Sequence, residues 1–414
     1  MKALFWRSTL LFSAVLLTFL PAISFAGTMV HGAKGAGMGT AFTAIADDPS
    51  AITTNPAGLT QLTGTNIYGG ATFVFPSTTY KSPSEQSEDT EFQVFFPPNL
   101  YLCSDLNTKD LRLGIGIYAP FGIGGRKWSK DGLTRFSSTK SLIATLSINP
   151  TIAYQVLPSL SIGIGLDYML ARHEAEMMID QSLFGAHDGQ LNLKADGGGW
   201  GYNVGILFTP DRRVSLGLAY RSRIKVDFNG DAELKNIAPP LRPLFDGSDF
   251  RTDVKTDSTF PQIVSFGIAY RPTEKWTIAG EAEWVEWSTF QRSDLDFENE
   301  VPQAGFTDSS KTLDWKDVWD IKVGAEYKVN ERLALRAGYA YSDSMVPDKT
   351  LDASNPDSKQ HYVSVGFGYR VKKLVIDFFY MAGFYEDRKV RNNILSGTYD
   401  NFYHYVGFDI GKKF

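Results

Sequence analysis

Cysteine and long hydrophobic runs are scarce in this 414-residue chain. Its one cysteine, Cys103, permits no internal disulfide and no cysteine-based zinc site. Beyond about residue 25, no apolar run reaches the ~20 residues of a transmembrane helix, which excludes a helical-bundle membrane protein. Basic residues are not in excess, since 41 Lys and Arg stand against 46 Asp and Glu. This balance gives no electrostatic reason to expect a nucleic-acid partner.

The first 26 residues have the organisation of a secretory signal peptide. Lys2 and Arg7 make the start basic, an apolar stretch of 11 residues follows at 10–20, and a small-x-small pattern ends at Ala26. A short membrane anchor is the alternative, but the apolar stretch is too short to span a bilayer comfortably. We therefore expect export, with cleavage near Ala26.

Alternation of apolar and polar residues recurs almost everywhere after residue 64, which predicts β-strands. One face of each strand is aliphatic with aromatic residues at its ends, and the other is charged, polar or glycine. Clear examples are the segments 111–118, 160–168, 213–221, 321–328 and 363–370. Alternation alone is also compatible with a soluble β-sandwich. However, many of these segments are longer than an ordinary strand, and aromatic ends are typical of the girdles of a membrane barrel.

The connections between strands fall into two unequal kinds, as in outer-membrane barrels. Six short polar turns lie near residues 104–109, 157–159, 209–211, 271–273, 329–331 and 371–373. Seven long polar stretches lie at 76–90, 120–139, 172–197, 228–258, 288–316, 342–359 and 384–401. Their alternation predicts an all-β membrane protein, a 14-stranded antiparallel transmembrane β-barrel formed by residues 64–414. The terminal Phe414 is typical of a last strand recognised by the bacterial barrel-assembly machinery.

Residues 27–63 do not alternate and are rich in glycine and alanine. Asn55 followed by Pro56 is a short helix-start signal. Irregular backbone cannot face lipid, because each unpaired N–H or C=O group costs several kcal/mol there. We therefore expect this segment to form a small helical plug in the lumen. The alternative, a flexible periplasmic tail, would carry more charge and less alanine.

Ordered blocks along nearly the whole mature chain resemble the FadL family of outer-membrane long-chain fatty acid transporters. The blocks are 35–41, 46–48, 55–59, 118–122, 149–154, 199–205, 220–230, 287–290, 315–317 and 343–347. The resemblance implies a Gram-negative outer-membrane barrel, surrounded by lipid and lipopolysaccharide and monomeric. It further implies passive uptake of long-chain fatty acids or similar hydrophobic molecules, with uncharged aromatic or aliphatic hydrocarbons as the alternative cargo.

In this family, an inward kink in the third strand provides a lateral exit, and an N-terminal hatch lies against it. By resemblance, the gating residues are Asn55, Pro56 and Ala57 of the hatch, with Pro120 and Gly122 of the kink. Proline removes a hydrogen-bond donor and glycine marks bulges, so the third strand carries the means to break its ladder.

The resemblance also implies where a ligand binds. The candidates are Lys311, Arg172 and His173 for a head group, Met29 near the mature N-terminus, and Phe184, Leu244 and Phe245 in an extracellular groove. The groove would also include Leu183, Ile237 and Leu241, apolar residues in otherwise polar loops that suggest an exposed patch. The second basic position of the family falls on Met177. A site with one cation suits uncharged substrates about as well as fatty acids.

Three other classes of protein remain as alternatives. An outer-membrane hydrolase needs a nucleophile and base within reach of each other, and the five histidines lie in scattered contexts without a nucleophile motif. A general diffusion porin would conduct ions and would have no hatch. A surface adhesin would not affect hydrophobic uptake. We expect no enzymatic activity, no cofactor and no bound metal.

Overall fold

The computed structural model describes residues 31–414. The predicted signal peptide, residues 1–26, and the predicted ligand contact Met29 lie outside the described residues. No helix in the described range is both long enough and apolar enough to cross a membrane.

The strands form one closed antiparallel barrel. They are β1 (Thr65–Lys81), β2 (Ser87–Asp89), β3 (Pro98–Ser104), β4 (Leu111–Tyr118), β5 (Ile123–Lys127), β6 (Lys140–Leu157), β7 (Leu160–Ile179), β8 (Gly189–Phe208), β9 (Val214–Arg221), β10 (Ile224–Lys235), β11 (Phe250–Phe260), β12 (Ile263–Tyr270), β13 (Trp276–Val285), β14 (Arg292–Phe297), β15 (Ser309–Thr312), β16 (Val318–Lys328), β17 (Leu333–Ser342), β18 (Gln360–Val371), β19 (Leu374–Tyr385), β20 (Arg388–Val390) and β21 (Gly397–Lys413).

The wall contains fourteen transmembrane strands. Some of them are interrupted and consist of two of these segments. The third consists of β4 and β5, the seventh of β9 and β10, and the eighth of β11 and β12. The barrel closes where β1 pairs with β21, from Asn66 opposite Lys413 to Lys81 opposite Thr398. The predicted 14-stranded barrel is confirmed.

Within the membrane span, the wall strands have an apolar outer face, and many of their inner-face residues are small or polar. On β7, Ile164 and Leu166 are each 50% exposed on the outside, whereas Gly165 and Asp167 are buried on the inside. This is the reverse of a soluble protein, because here the outer face lies in lipid.

The strands extend further than the alternation predicted. The stretch 172–197 was expected to be a loop, but β7 continues to Ile179 and β8 begins at Gly189. Above the membrane the outer face meets water, so the polar residues point out and the apolar ones, such as Met177, point in. The stretch 228–258 is shortened in the same way by β10 and β11. The predicted boundaries of these two loops were therefore wrong.

Residues 31–63, the hatch segment, lie inside the barrel and are almost entirely buried. Its helices are α1 (Ala33–Ala36), α2 (Ala51–Thr54) and the 3-10 helix η1 (Pro56–Gln61). The outer loops contain α3 (Arg242–Phe245) and the 3-10 helices η2 (Ser182–Phe184), η3 (Trp287–Thr289) and η4 (Pro302–Ala304).

Glycines of the wall make room for the hatch segment. A Cβ atom on Gly205 would lie 2.0 Å from the Asn55 side-chain oxygen, and one on Gly163 would lie 2.5 Å from the backbone nitrogen of Ala57. The glycine face of the strands therefore allows the close approach of the hatch backbone.

Candidate transport site

The third transmembrane strand is broken between Tyr118 and Ile123. Opposite β6, Tyr118 pairs with Ser147 and Ile123 pairs with Ala144. The third strand thus advances five residues while its partner advances three, so two extra residues form a bulge. Pro120 and Gly122 lie in this break.

The backbone of the break is held by one side chain of β6. Thr145 Oγ1 accepts a hydrogen bond from the Phe121 N–H (3.1 Å) and donates one to the Gly122 carbonyl (2.9 Å). Gly122 has a φ of 78°, a conformation that side chains with a Cβ rarely adopt. The conformation of the break is therefore defined by specific residues, the glycine at position 122 and the Thr145 side chain.

The break leaves a gap in the wall between the second and third transmembrane strands. The ladder between β3 and β4 ends where Asn99 lies opposite Tyr118. Beyond it, β5 pairs only with β6. A bond from the Glu91 N–H to the Lys127 carbonyl (2.8 Å) rejoins the two strands. Within the described chain, no other backbone hydrogen bond joins residues 90–98 to 119–127.

Apolar side chains border this gap on both sides of the wall. Outside, Phe92 is 81% and Phe96 is 54% exposed, and their rings pack against Phe75 and Phe73 with centroids 6.3 and 5.1 Å apart. Inside, Phe121 is fully buried. Aromatic side chains therefore lie at both the outer and the inner side of the gap.

Phe121 belongs to an aromatic cluster in the lumen, formed by Phe121, Phe260, Trp287, Phe290 and Trp315. Its ring lies 4.7 Å from Phe260 and 6.3 Å from Trp287, centroid to centroid, and Trp315 packs 5.0 Å from Phe290. The indole N–H groups of both tryptophans are buried and find no acceptor among residues 31–414. The aromatic cluster is therefore closely packed, and its two buried indole N–H groups are donors to which a molecule in the lumen could bind.

The chain matches a known protein family over most of its length. The family described as outer membrane protein transport protein (OMPP1/FadL/TodX) matches residues 18–406. The chain belongs to this family. The FadL family consists of transport channels, and membership places the chain in the Gram-negative outer membrane among transporters of hydrophobic compounds.

Individual relatives agree with this assignment. The chain is 27% identical to the long-chain fatty acid transport protein of Escherichia coli O6:H1 over 408 residues, 89% of this chain and 88% of the relative. The crystal structure of a Pseudomonas aeruginosa FadL homologue has a TM-score of 0.81 at 18% identity and covers 94% of this chain and 99% of its own. The Pseudomonas putida toluene transporter TodX has a TM-score of 0.75 at 18% identity, with the same coverage. Both structural neighbours share the fold.

Lys311 and Arg172, two basic residues predicted to bind the ligand head group, lie in different surroundings. Lys311 on β15 is buried, and its Nζ lies 2.6 Å from Asp352, whose other oxygen accepts a bond from the Ser354 N–H (2.8 Å). Arg172 lies on the outer face of β7 and forms an ion pair with Asp196 (2.6 Å). Arg172 therefore does not face the lumen, and a role for it in head-group binding gains no support.

His173 lies beside Arg172 but on the inner face of β7, between the buried Ala171 and Ala175. It is half-buried and could contact a molecule in the upper lumen. Its predicted part in ligand binding stays a prediction.

The apolar loop residues predicted as a groove are mostly packed together. They contribute to an outer apolar cluster that includes Met177, Ile179, Leu191, Ile237, Leu241, Phe245, Phe297 and Phe306. Phe245 is buried, with its ring 5.3 Å from that of Phe250, and Phe184 packs against the same cluster. Leu183 (61%) and Leu244 (40%) remain exposed. The expected exposed patch is therefore smaller than the sequence suggested, because the extended strands enclose most of it.

The predicted hatch motif lies mainly against strands other than the third. Asn55 Nδ2 donates to the carbonyls of Ile206 on β8 (3.0 Å) and of Thr43 (2.8 Å), and η1, which begins with Pro56 and Ala57, contacts β6, β7 and β8. The same helix also contacts β4, where Leu59 lies against Gly114, and Ile52 lies against Gly116. The hatch segment therefore meets the third strand below the break, and the gating role of Asn55, Pro56 and Ala57 stays a prediction.

Sequence reasoning missed a buried polar network that joins the break to the hatch. Asp167 accepts hydrogen bonds from Tyr118, at the end of β4 (3.0 Å), and from Arg221. Arg221 also donates to the carbonyl of Thr53 at the end of α2 (3.1 Å). The residues come from three strands and the hatch segment, so no local sequence signal reveals them.

Proposed function

We propose that the chain is a passive outer-membrane uptake channel for long-chain fatty acids or similar hydrophobic molecules, with lateral exit through the broken third strand. The observation that carries this proposal is the gap between residues 90–98 and 119–127, where aromatic side chains border a wall without backbone pairing. The curated relatives named as long-chain fatty acid transport proteins support the same cargo.

The energetics of an oily cargo favour a side exit. A fatty acid gains about 0.8 kcal/mol per CH₂ on leaving water, or on the order of 10 kcal/mol for a long tail. A water-filled pore to the periplasm would require the cargo to give up that gain. A lateral path lets the tail pass from the aromatic cluster past Phe121 to Phe96 and the membrane without entering water.

Capture would begin at the extracellular end. Leu183 and Leu244 are exposed, and Phe184, beside Leu183 in the chain, packs against the outer apolar cluster. A tail that settles on these side chains removes apolar area from water. We infer that the small exposed surface is the first resting place of the cargo.

Gating would use the polar network between the hatch and the break. Arg221 bonds the Thr53 carbonyl of α2 and shares Asp167 with Tyr118, while Asn203 on β8 donates to the carbonyl of Ile52 (2.7 Å). A displacement of α2 would break the bonds from Arg221 and Asn203 to its carbonyls, and a shift of Arg221 would in turn disturb the Asp167 carboxylate that holds Tyr118 at the end of β4. The hatch and the exit would then move together.

A second cargo class, uncharged aromatic or aliphatic hydrocarbons, is favoured by one observation. The Lys311 ammonium is already neutralised by Asp352 in a buried pair. A hydrocarbon has no carboxylate that would compete with Asp352, and the aromatic cluster provides the complementary apolar surface.

Uptake assays in a strain lacking its own transporter test both cargo classes. The strain carrying the chain is compared with the empty strain for uptake of oleate, of toluene and of a polar sugar. The proposal requires faster uptake of oleate or toluene and no change for the sugar. Sugar uptake, together with steady ion conductance in planar bilayers, would instead indicate a diffusion porin. Equal rates for all three solutes in both strains would indicate an adhesin or another structural role.

A further inference from the structure

Arg126 is a buried cation beside the wall gap. It lies on β5, the part of the third strand beyond the break, and only 3% of it is exposed. Its Nε donates to the hydroxyl of Thr78 on β1 (3.1 Å), and its Nη2 donates to the hydroxyl of Tyr403 on β21. The side chain thus crosses the lumen side of the gap, from the third strand to the first and last.

The Arg126 guanidinium has no anionic partner among the residues that the structure describes. No carboxylate within residues 31–414 lies within ion-pair distance of it, and its buried Nη1 makes no hydrogen bond to that part of the chain. Two other buried arginines differ, since Arg221 pairs with Asp167, and Arg336 pairs with Glu326 and Asp377. A buried charge without a counter-charge is costly, so such sites are normally completed by an anion.

The surroundings of Arg126 are suited to an amphiphile. Its guanidinium lies 5.8 Å from the centre of the Tyr403 ring, which packs in an apolar cluster with Val74 and Phe95. Ile123 and Leu142 pack against the same cluster. An anionic head at the guanidinium would therefore have apolar surface next to it for the first part of a tail.

We propose that Arg126 binds the carboxylate of an amphiphilic ligand on the lumen side of the gap. The free Nη1 and the adjacent Nη2 form the planar fork that a carboxylate matches with two hydrogen bonds. This inference rests on the proposed function, because it assumes that the cargo reaches the gap. It assigns the recognition of the charged head to Arg126, and it does not need Lys311 to leave Asp352.

Equilibrium binding to the purified full-length protein in detergent tests the assignment, with radiolabelled oleate and methyl oleate as the two probes. Arg126→Met keeps the length of the side chain and removes its charge. We expect it to weaken oleate binding about ten- to hundredfold and to leave methyl oleate binding unchanged. Arg126→Lys, which keeps the charge but loses the fork, should fall between the two.

Arg112→Met is the matched control. Arg112 is equally buried on the same strand, but its guanidinium donates to backbone carbonyls, including those of Leu62 and Lys109. Its loss should lower the midpoint of thermal unfolding and leave the ratio of the two affinities unchanged. Arg126→Met should lower the midpoint less than Arg112→Met, because removal of a buried charge without a carboxylate partner offsets the loss of the hydrogen bonds to Thr78 and Tyr403.

The outcomes separate this inference from the proposed function. Unchanged oleate binding by Arg126→Met, or an equal loss for oleate and its methyl ester, would overturn the role of Arg126 alone. Failure of the unaltered protein to bind either probe would overturn the proposed function together with it.

Discussion

The hydroxyl group of Tyr118 lies 3.0 Å from Asp167 Oδ2, at the last residue of the third strand before its break. Arg221 shares the same carboxylate oxygen and reaches the hatch through the Thr53 carbonyl. All three side chains are buried. A single carboxylate therefore holds both the edge of the wall gap and, through Arg221, the helix α2 of the hatch segment.

Arg221→Met should destabilise the folded barrel by about 3–5 kcal/mol, because Asp167 is left as an uncompensated buried charge. Adding Asp167→Asn should recover a large part of this loss, since no buried charge then remains. The free energies of unfolding of the two single variants and the double variant, measured by denaturant titration in lipid vesicles, give the coupling. Simple additivity of the two single effects would argue against the ion pair as the link.

Straightening the third strand should block uptake and spare folding. Deleting Pro120 and Phe121 and changing Gly122 to Val removes the two extra residues, so that β4 and β5 can run in one register along β6. The ladder between the second and third strands could then close over the gap. Oleate uptake should fall to that of the empty strain, while heat-modifiable mobility on gels still reports a folded barrel. Uptake at the parental rate in the folded variant would rule out lateral exit.

The strand count was predictable because the wall alternates along the chain, one residue to lipid and the next to the lumen. The ends of the strands were not, since the apolar face changes side above the membrane. Leu166 points outward to lipid, whereas Met177 on the same strand points inward to the outer apolar cluster. The prediction assumed that the apolar residues of a strand stay on one face. It therefore placed the end of the strand where the surroundings change from lipid to water, although the strand continues.

The break was visible in the sequence, because proline and glycine restrict the backbone locally. The partners of the buried charges were not. Arg126 bonds to Thr78 and Tyr403, which are 48 and 277 positions away in the sequence. Lys311 bonds to Asp352, which is 41 positions away. The closure of the barrel brings these partners together, so the sequence did not reveal that Lys311 is paired with Asp352 or that Arg126 has no carboxylate partner within residues 31–414.

Asn55→Ala should loosen the hatch segment within an intact barrel. The side chain donates to the Thr43 and Ile206 carbonyls and accepts from the Ala57 N–H (3.2 Å), so its loss removes a cap and the tie to β8. A cost of about 1–3 kcal/mol is expected for the hatch segment. Hydrogen exchange of residues 31–63 should accelerate while exchange in the wall strands does not, and oleate uptake should fall.

Asn66→Ala is a suitable control for Asn55→Ala. The Asn66 side-chain amide also donates to two carbonyls, those of Thr63 and Gly64, but they lie at the barrel rim. It should change neither hatch exchange nor uptake. Unaltered exchange of residues 31–63 in Asn55→Ala would show that the motif does not hold the hatch.

Asp352→Asn should convert Lys311 from a paired to an available cation. In the unaltered chain the Nζ is 2.6 Å from Asp352, and any carboxylate ligand must compete with that buried partner. A charge-assisted hydrogen bond contributes about 1.5–3 kcal/mol, so oleate affinity should rise about tenfold or more while methyl oleate affinity stays the same. Adding Lys311→Met should return oleate affinity to that of the unaltered protein. If Asp352→Asn leaves the two affinities as they were, Lys311 lies out of reach of the ligand and its predicted role is lost.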